Sequence, residues 1–80
     1  MYTVKELVEH LQHYNQGAVI VMSSDEEGND YHYLRNLEEL MYDPEDRWVG
    51  YAEITDELRK QGYTEEDVME GGILALVLWP

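Results

Sequence analysis

Hydrophobic residues along the chain form two runs that no polar residue interrupts. The first covers residues 18–22, and the second covers residues 73–78, which follow two glycines and lead into Trp79. A continuous apolar run beside a turn signal is typical of a strand buried on both faces, whereas an alternating run has one buried face. The pattern therefore predicts two neighbouring central strands, about 18–23 and 73–79, with Trp79 in the core.

The first amphipathic segment has the spacing of a helix. Apolar side chains recur every three or four residues within residues 4–11, which places them on one helical face. Thr3 and Glu6 have the spacing of a capping box, and Gly17 supplies a left-handed stop. We therefore expect a helix over residues 4–14, packed on one face of the sheet.

The middle of the chain predicts a hairpin followed by less regular structure. Residues 25–30 are acidic and contain Gly and Asn, which indicates an exposed turn, and the alternating residues 31–34 are expected to return as a second strand. Leucines near helical spacing favour a short helix over residues 36–41, and a strand through residues 40–42 is the alternative. Residues 48–52 are expected to form a short edge strand.

Two short helices are predicted between residues 55 and 70. Thr55 precedes a segment with acids first and bases last, an order that suits the helix dipole, and Thr64 repeats the capping pattern. The expected fold is therefore α+β, with a small sheet and one domain over residues 1–80.

The net charge is far from zero: 18 acidic residues stand against 5 basic ones, which gives −13. A field of this sign repels nucleic acid and anionic membranes, so we expect neither direct nucleic-acid binding nor membrane association. The chain has no cysteine, which excludes disulfides, thiolate metal sites and a cysteine nucleophile. With no signal pattern and no long apolar run, a cytoplasmic location is the simplest prediction.

Other candidate chemistry is weak. The acidic turn at residues 25–30 does not match the ligand order of an EF-hand, and Glu6, His10 and His13 on one helical face make only a weak zinc signal. No nucleophile, base and orienting group can be assembled from the sequence. We therefore expect no catalytic residues, no metal site and no cofactor.

Four short motifs along the chain form a recognisable series. Residues 3–7 give the opening helix Thr-Val-Lys-Glu-Leu, and residues 19–29 the apolar strand with its acidic glycine turn. Residues 42–45 read Tyr-Asp-Pro-Glu, and residues 78–80 read Leu-Trp-Pro, the most specific of the four. In this series the chain resembles a group of short acidic proteins encoded by bacteriophages. The resemblance implies a phage origin and a bacterial host cytoplasm, and it brings no established activity.

The acids concentrate in the middle of the chain, where aromatic residues are interleaved with them. This pattern and the phage resemblance predict a non-enzymatic inhibitor that binds a basic, nucleic-acid-handling host or anti-phage defence protein, in the manner of a nucleic-acid mimic. The alternative is an interaction or self-assembly module that uses an aromatic patch with Trp48 and Tyr51 or a sheet edge, including a homo-oligomer. The candidate partner-binding residues are Asp25, Glu26, Glu27, Asp30, Glu38, Glu39, Tyr42, Asp43, Glu45, Asp46 and Trp48.

Overall fold

The computed structural model describes all 80 residues, which form two compact units. The first unit comprises Met1–Asn36 with Leu78–Pro80, and the second comprises Leu37–Val77. Helices and antiparallel strands occur together, so the predicted α+β class is confirmed. In chain order the elements are α1 (Val4–Leu11), β1 (Val21–Ser23), β2 (Tyr31–Tyr33), β3 (Asn36–Asp43), β4 (Trp48–Gly50), α2 (Asp56–Lys60), a 3-10 helix (Glu65–Asp67) and β5 (Ile73–Trp79).

Helix α1 begins where the sequence predicts and ends earlier. The Thr3 hydroxyl accepts a hydrogen bond from the Glu6 amide at 3.2 Å, which satisfies one of the free donors at the helix start. The amides of His13 and Tyr14 bond three residues back at 3.2 Å, so the chain tightens into turns after Leu11 and does not continue as a helix to residue 14. None of the helices has the length and apolar character needed to cross a membrane.

The apolar face of α1 is not covered. Val4 is 58% exposed and Val8 is 51% exposed, and Leu7 alone along the helix is half-buried. The expectation that α1 packs this face on a sheet is therefore wrong. The sheet in the first unit has two strands of only three residues each, so it offers little surface on which a helix could pack.

Strands β1 and β2 form the predicted antiparallel hairpin. Val21 pairs with Tyr33 and Ser23 pairs with Tyr31, and the Ser24 amide donates to the Asp30 carbonyl at 2.9 Å to close the turn. The turn is therefore built on a regular ladder, which fixes the position of its acidic residues.

A three-stranded sheet has the order β4-β3-β5. Its central strand β3 replaces the short helix predicted over residues 36–41 and confirms the strand alternative, because hydrogen bonding on both sides holds the segment extended. Tyr42 of β3 pairs with Val49 of β4. The Arg35 amide donates to the Trp79 carbonyl at 2.9 Å, and Gly72 lies against the Tyr42 carbonyl, so β5 runs antiparallel to β3.

Both apolar runs contain a strand, but the first strand covers only Val21–Ser23 instead of residues 18–23, and the two strands do not pair with each other. β1 pairs only with β2, and β5 lies at the edge of the other sheet. Because an edge strand is covered less than a central one, only Ala75 and Val77 of β5 are half-buried, and Trp79 is 39% exposed. The assignment of Trp79 to the core is therefore wrong.

The buried core lies in the second unit and is small. Leu40 of β3 is 5% exposed and Met69 is 8% exposed, and no other hydrophobic side chain is buried to this degree. Met69 lies between Gly50 and Gly72. A methyl group added to Gly50 would lie 3.1 Å from the Met69 Cβ, and one added to Gly72 would lie 2.7 Å from the Met69 sulfur. The absent side chains at these glycines make the room that Met69 fills.

Candidate interaction surface

The candidate partner-binding residues fall on one turn in the first unit and along one strand and its turn in the second. The β1–β2 turn carries Asp25, Glu26, Glu27 and Asp30. Strand β3, the turn that follows it and the start of β4 carry Glu38, Glu39, Tyr42, Asp43, Glu45, Asp46 and Trp48. Within each group, some acids form hydrogen bonds inside the chain and the others have no partner there, and this difference decides their role.

Asp25 is the structural centre of the β1–β2 turn. One carboxylate oxygen accepts from the amides of Glu27 at 2.9 Å and Asn29 at 3.2 Å, and the other accepts from the Asn29 side-chain amide at 2.8 Å. Hydrogen bonds to the charged form favour it, so the Asn29 side chain, followed by these backbone amides, holds the pKa of Asp25 below its usual value. Gly28 completes the turn with a φ of 73°, which a glycine adopts at no steric cost.

The other acids of this turn divide in the same way. Asp30 accepts from the Tyr31 amide at 2.9 Å and lies 3.4 Å from the imidazole of His32. Glu26 and Glu27 are exposed, and their carboxylates have no partner in the chain. The turn therefore presents two adjacent carboxylates to solvent while Asp25 and Asp30 fix its shape.

We expect Asn29→Ala to raise the pKa of Asp25 toward its ordinary value of 3.8, because the largest stabiliser of the charged carboxylate is removed. A lowered pKa in the folded chain means that the turn's contribution to stability is present above the unfolded value and is lost as pH falls through the folded one. The measurement is an NMR titration of the Asp25 carboxyl carbon.

Asn15→Ala is the matched control for this titration. Asn15 accepts from the Gly17 amide in another turn of the same unit, so its removal should leave the Asp25 midpoint unchanged. An Asp25 midpoint that is the same in Asn29→Ala and in the unaltered chain would contradict the assignment.

Asp43 plays the same part in the β3–β4 turn. Its carboxylate accepts from the amides of Glu45 at 2.9 Å and Asp46 at 3.3 Å, and its carbonyl accepts from the Arg47 amide at 2.7 Å. Arg47 has a φ of 56°, which lets the chain reverse into β4. The side chains of Glu45 and Asp46 are exposed and unpartnered, so this turn also presents two adjacent carboxylates.

Glu38 and Glu39 lie on opposite faces of β3. Glu38 shares the face of buried Leu40, is half-buried, and accepts a hydrogen bond from the Tyr51 hydroxyl at 3.4 Å. Glu39 points the other way, is exposed and has no partner. Glu38 is therefore committed to the second unit's own packing, while Glu39 is available to a partner.

Tyr51 belongs to a small polar cluster within the second unit. Its ring meets that of Tyr63 edge to face, with centroids 5.0 Å apart. The hydrogen bond with Tyr63, partial burial and the nearby charge of Glu38 raise the pKa of Tyr51 to about 12. Sequence reasoning did not find Tyr63 as a contact, since the two tyrosines lie far apart along the chain.

The aromatic residues differ in how far they are free to anchor a partner. Trp48 is 47% exposed at the start of β4, whereas Tyr42 is half-buried. Tyr31 and Tyr33 of β2 are also largely exposed. An aromatic patch on the second unit would therefore rest on Trp48 more than on Tyr51, which is already engaged.

Few of the negative charges are neutralised within the chain. Arg59 forms an ion pair with Glu65, and the His32 imidazole, which is neutral in the net charge given above, lies 3.4 Å from the Asp30 carboxylate. The remaining arginines and both lysines form no ion pair with a carboxylate. Most of the net charge of −13 therefore acts outward on solvent and on any partner.

The cation hypotheses receive no support from the geometry. An open depression of about 310 Å³ beside Asp25, Glu26, Glu27 and Asn29 contains the Asp25 carboxylate, which already accepts three hydrogen bonds. His10 is held between the hydroxyls of Tyr2 at 2.7 Å and Tyr14 at 3.3 Å. No group of three or more His, Asp or Glu side chains is arranged to bind a metal ion.

Comparisons with protein-family models, with curated proteins and with solved structures found no match for this chain. Its function is therefore inferred from its own residues.

Proposed function

We propose that the chain is a non-enzymatic acidic phage protein that acts in the host bacterial cytoplasm. It binds and inhibits a basic, nucleic-acid-handling host or anti-phage defence protein, and its carboxylates occupy a surface that otherwise contacts phosphates. The observation that carries the proposal is the set of exposed carboxylates with no intramolecular partner at Glu26, Glu27, Glu39, Glu45 and Asp46.

The physical support is that these charged groups lower the stability of the folded chain. Like charges that are not neutralised repel one another and lower stability, and ordinary solubility needs a net charge of only about 2–8. The chain carries −13 and pairs few of its acids. Beside a basic partner, the carboxylates would be attracted to positive charges, which would offset their repulsion of one another. Both turns hold their free carboxylates on a fixed backbone.

Affinity capture from infected and uninfected bacterial lysate, at low and high salt, tests the proposal and identifies the partner. The Debye length, beyond which exposed charges are largely screened from each other, is about 10 Å at 0.1 M salt and shortens as salt is added. A charge-driven complex should therefore be recovered at low salt and lost at high salt. Heparin, a sulfated polyanion, should compete for the same partner. A partner that is held equally at high salt, and that heparin does not displace, would contradict charge-driven inhibition.

We expect the double substitution Glu45→Lys and Asp46→Lys to weaken binding of the isolated partner by at least about tenfold, because attractive charges become repulsive at the contact. Neither side chain holds the turn, so the fold should be retained. Asp43 is left unchanged, since its carboxylate accepts two backbone hydrogen bonds. Isothermal titration calorimetry with the purified partner measures the change.

The matched control is Glu53→Lys with Glu70→Lys, which changes the net charge equally at exposed positions outside the candidate surface. If the loss of affinity depends on where the substituted charges lie, the control variant should bind the partner nearly as well as the unaltered chain does. Equal weakening by both double variants would show that only the total charge matters, and no weakening by either would exclude a contact at this turn.

The alternative is an interaction module that uses aromatic side chains and involves no mimicry. The exposure of Trp48 at 47% favours it, because tryptophan is enriched among residues that dominate binding energy. Under this alternative, Trp48→Ala would abolish capture of the partner, and salt would have little effect.

A further inference from the structure

Strand β5 has one unpaired edge. It hydrogen-bonds to β3 on one side and to no strand on the other. Proteins usually protect such an edge with devices that include a lysine or an internal proline, and the seven residues Ile-Leu-Ala-Leu-Val-Leu-Trp contain neither. An edge of this length without protection is suited to pairing with another strand.

The backbone groups at this edge can be identified from one hydrogen bond. The Trp79 carbonyl accepts from the amide of Arg35, the residue directly before β3, so the backbone of Trp79 faces the side on which β3 lies. Backbone polar groups alternate in direction along a strand, and both groups of one residue point to the same side. The free edge therefore presents the amide and carbonyl groups of Leu74, Leu76 and Leu78.

The same three leucines provide exposed apolar surface. Their side chains share one face of β5, and their exposed fractions are 71%, 36% and 39% in chain order. On the opposite face Ala75 and Val77 are half-buried, whereas Ile73 and Trp79 at its two ends are exposed. An incoming strand would therefore gain backbone hydrogen bonds and contacts with leucine together.

The distribution of charge identifies the occupant. Residues 71–80 contain no charged side chain, although the chain carries −13. A basic partner is attracted by the acidic turns and finds no opposite charge on β5. A second copy is repelled over most of its surface, and β5 is the longest strand without a charged side chain, so two copies can approach along it at low electrostatic cost.

We propose that the unpaired edge of β5 binds β5 of a second copy, antiparallel, about a two-fold axis at Leu76. In this register Leu76 lies opposite Leu76 of the second copy, and Leu74 lies opposite its Leu78. All three outward-facing leucines on each copy then form hydrogen-bonded pairs, and any shift of register leaves at least one of them unpaired. The two sheets of three strands become one continuous sheet.

Single cysteines test both the pairing and its register, because the natural chain has none. Residues directly opposite in a hydrogen-bonded antiparallel pair have Cα atoms ~5.5 Å apart, within the range of a disulfide. Leu76→Cys should therefore cross-link to itself under mild oxidation. Leu74→Cys is the control: the two copies of residue 74 would be four residues apart along the ladder, or ~13 Å at ~3.3 Å per residue.

We expect Leu76→Cys to form the covalent dimer at least about tenfold faster than Leu74→Cys, although Leu74 is the more exposed position. Sedimentation of the unaltered chain over the micromolar range should show a dimer whose fraction rises with concentration. Cross-linking of Leu74→Cys at the same rate or faster would overturn the proposed register. A chain that stays monomeric throughout would overturn the pairing itself, as would a dimer in which Leu76→Cys does not cross-link.

Discussion

Leu40→Ala is expected to lower the free energy of unfolding by about 2–4 kcal/mol, the cost of deleting a buried leucine whose cavity collapses only in part. Leu40 is 5% exposed at the middle of β3, and Met69 is the one other buried hydrophobic residue. A domain of this length has a total stability of roughly 4–12 kcal/mol, so the loss is a large fraction of it. Urea unfolding followed by circular dichroism measures the effect.

Leu37→Ala is the matched control, because it removes the same atoms from the same strand. Leu37 is 53% exposed, so far less surface returns to water when its side chain is truncated. The two variants should therefore differ by more than about 1 kcal/mol. Equal losses would mean that β3 has no buried face, in conflict with the packing of the second unit.

Gly72→Ala is expected to destabilise the chain by about 1–3 kcal/mol through overpacking. The added methyl group would lie 2.7 Å from the Met69 sulfur and 2.9 Å from the Tyr42 carbonyl oxygen. The sulfur ends a flexible side chain and can move, but the carbonyl belongs to the backbone of β3, so the start of β5 would be displaced. The free energy of unfolding in urea again provides the measurement.

The control for this substitution is Gly17→Ala, because Gly17 does not adopt the left-handed conformation that the sequence predicts for it. The nearest atom to a methyl group there is the Asn15 side-chain oxygen at 3.4 Å, an ordinary contact. We expect its effect to stay within about 0.5 kcal/mol, as for most exposed substitutions. A neutral Gly72→Ala would show that β5 can shift away from β3 without cost.

Elements with local signals could be predicted from the sequence. Thr3, Thr55 and Thr64 each accept an amide hydrogen bond at the start of a helix, and these contacts involve residues two or three positions apart. The β1–β2 hairpin is likewise set by its own turn residues. In each case, the interacting groups lie close together along the chain.

Strand β3 is an element for which the local sequence pattern favours the wrong structure, a short helix. Its leucines have near-helical spacing, but β4 and β5 supply hydrogen-bond partners that hold the segment extended. The sequence predicts that β5 pairs with β1, whereas it pairs with β3. An apolar run does not specify which strand lies beside it. Burial on both faces was inferred from that run, and the edge position of β5 leaves its leucines exposed.

For the candidate surface, the sequence indicated which segments are acidic but not which acids are free. Asp25 and Asp43 differ from their neighbours only in the direction of their carboxylates, which point back at backbone amides. Composition cannot reveal that difference. The geometry separates acids that shape the turns from acids that remain available, and it therefore determines which charge reversals test binding without disturbing the fold.

The position of Met69 between Gly50 and Gly72 has a consequence for oxidative damage. Conversion of its thioether to a sulfoxide adds a polar oxygen to a sulfur that already fills the space beside Gly72. Met1 is fully exposed, whereas Met69 is 8% exposed, so peroxide should reach the first freely and the second only when the second unit opens. The rate of oxidation at Met69 would thus report how often the second unit opens. An oxidised molecule would be unable to restore the original packing around Met69.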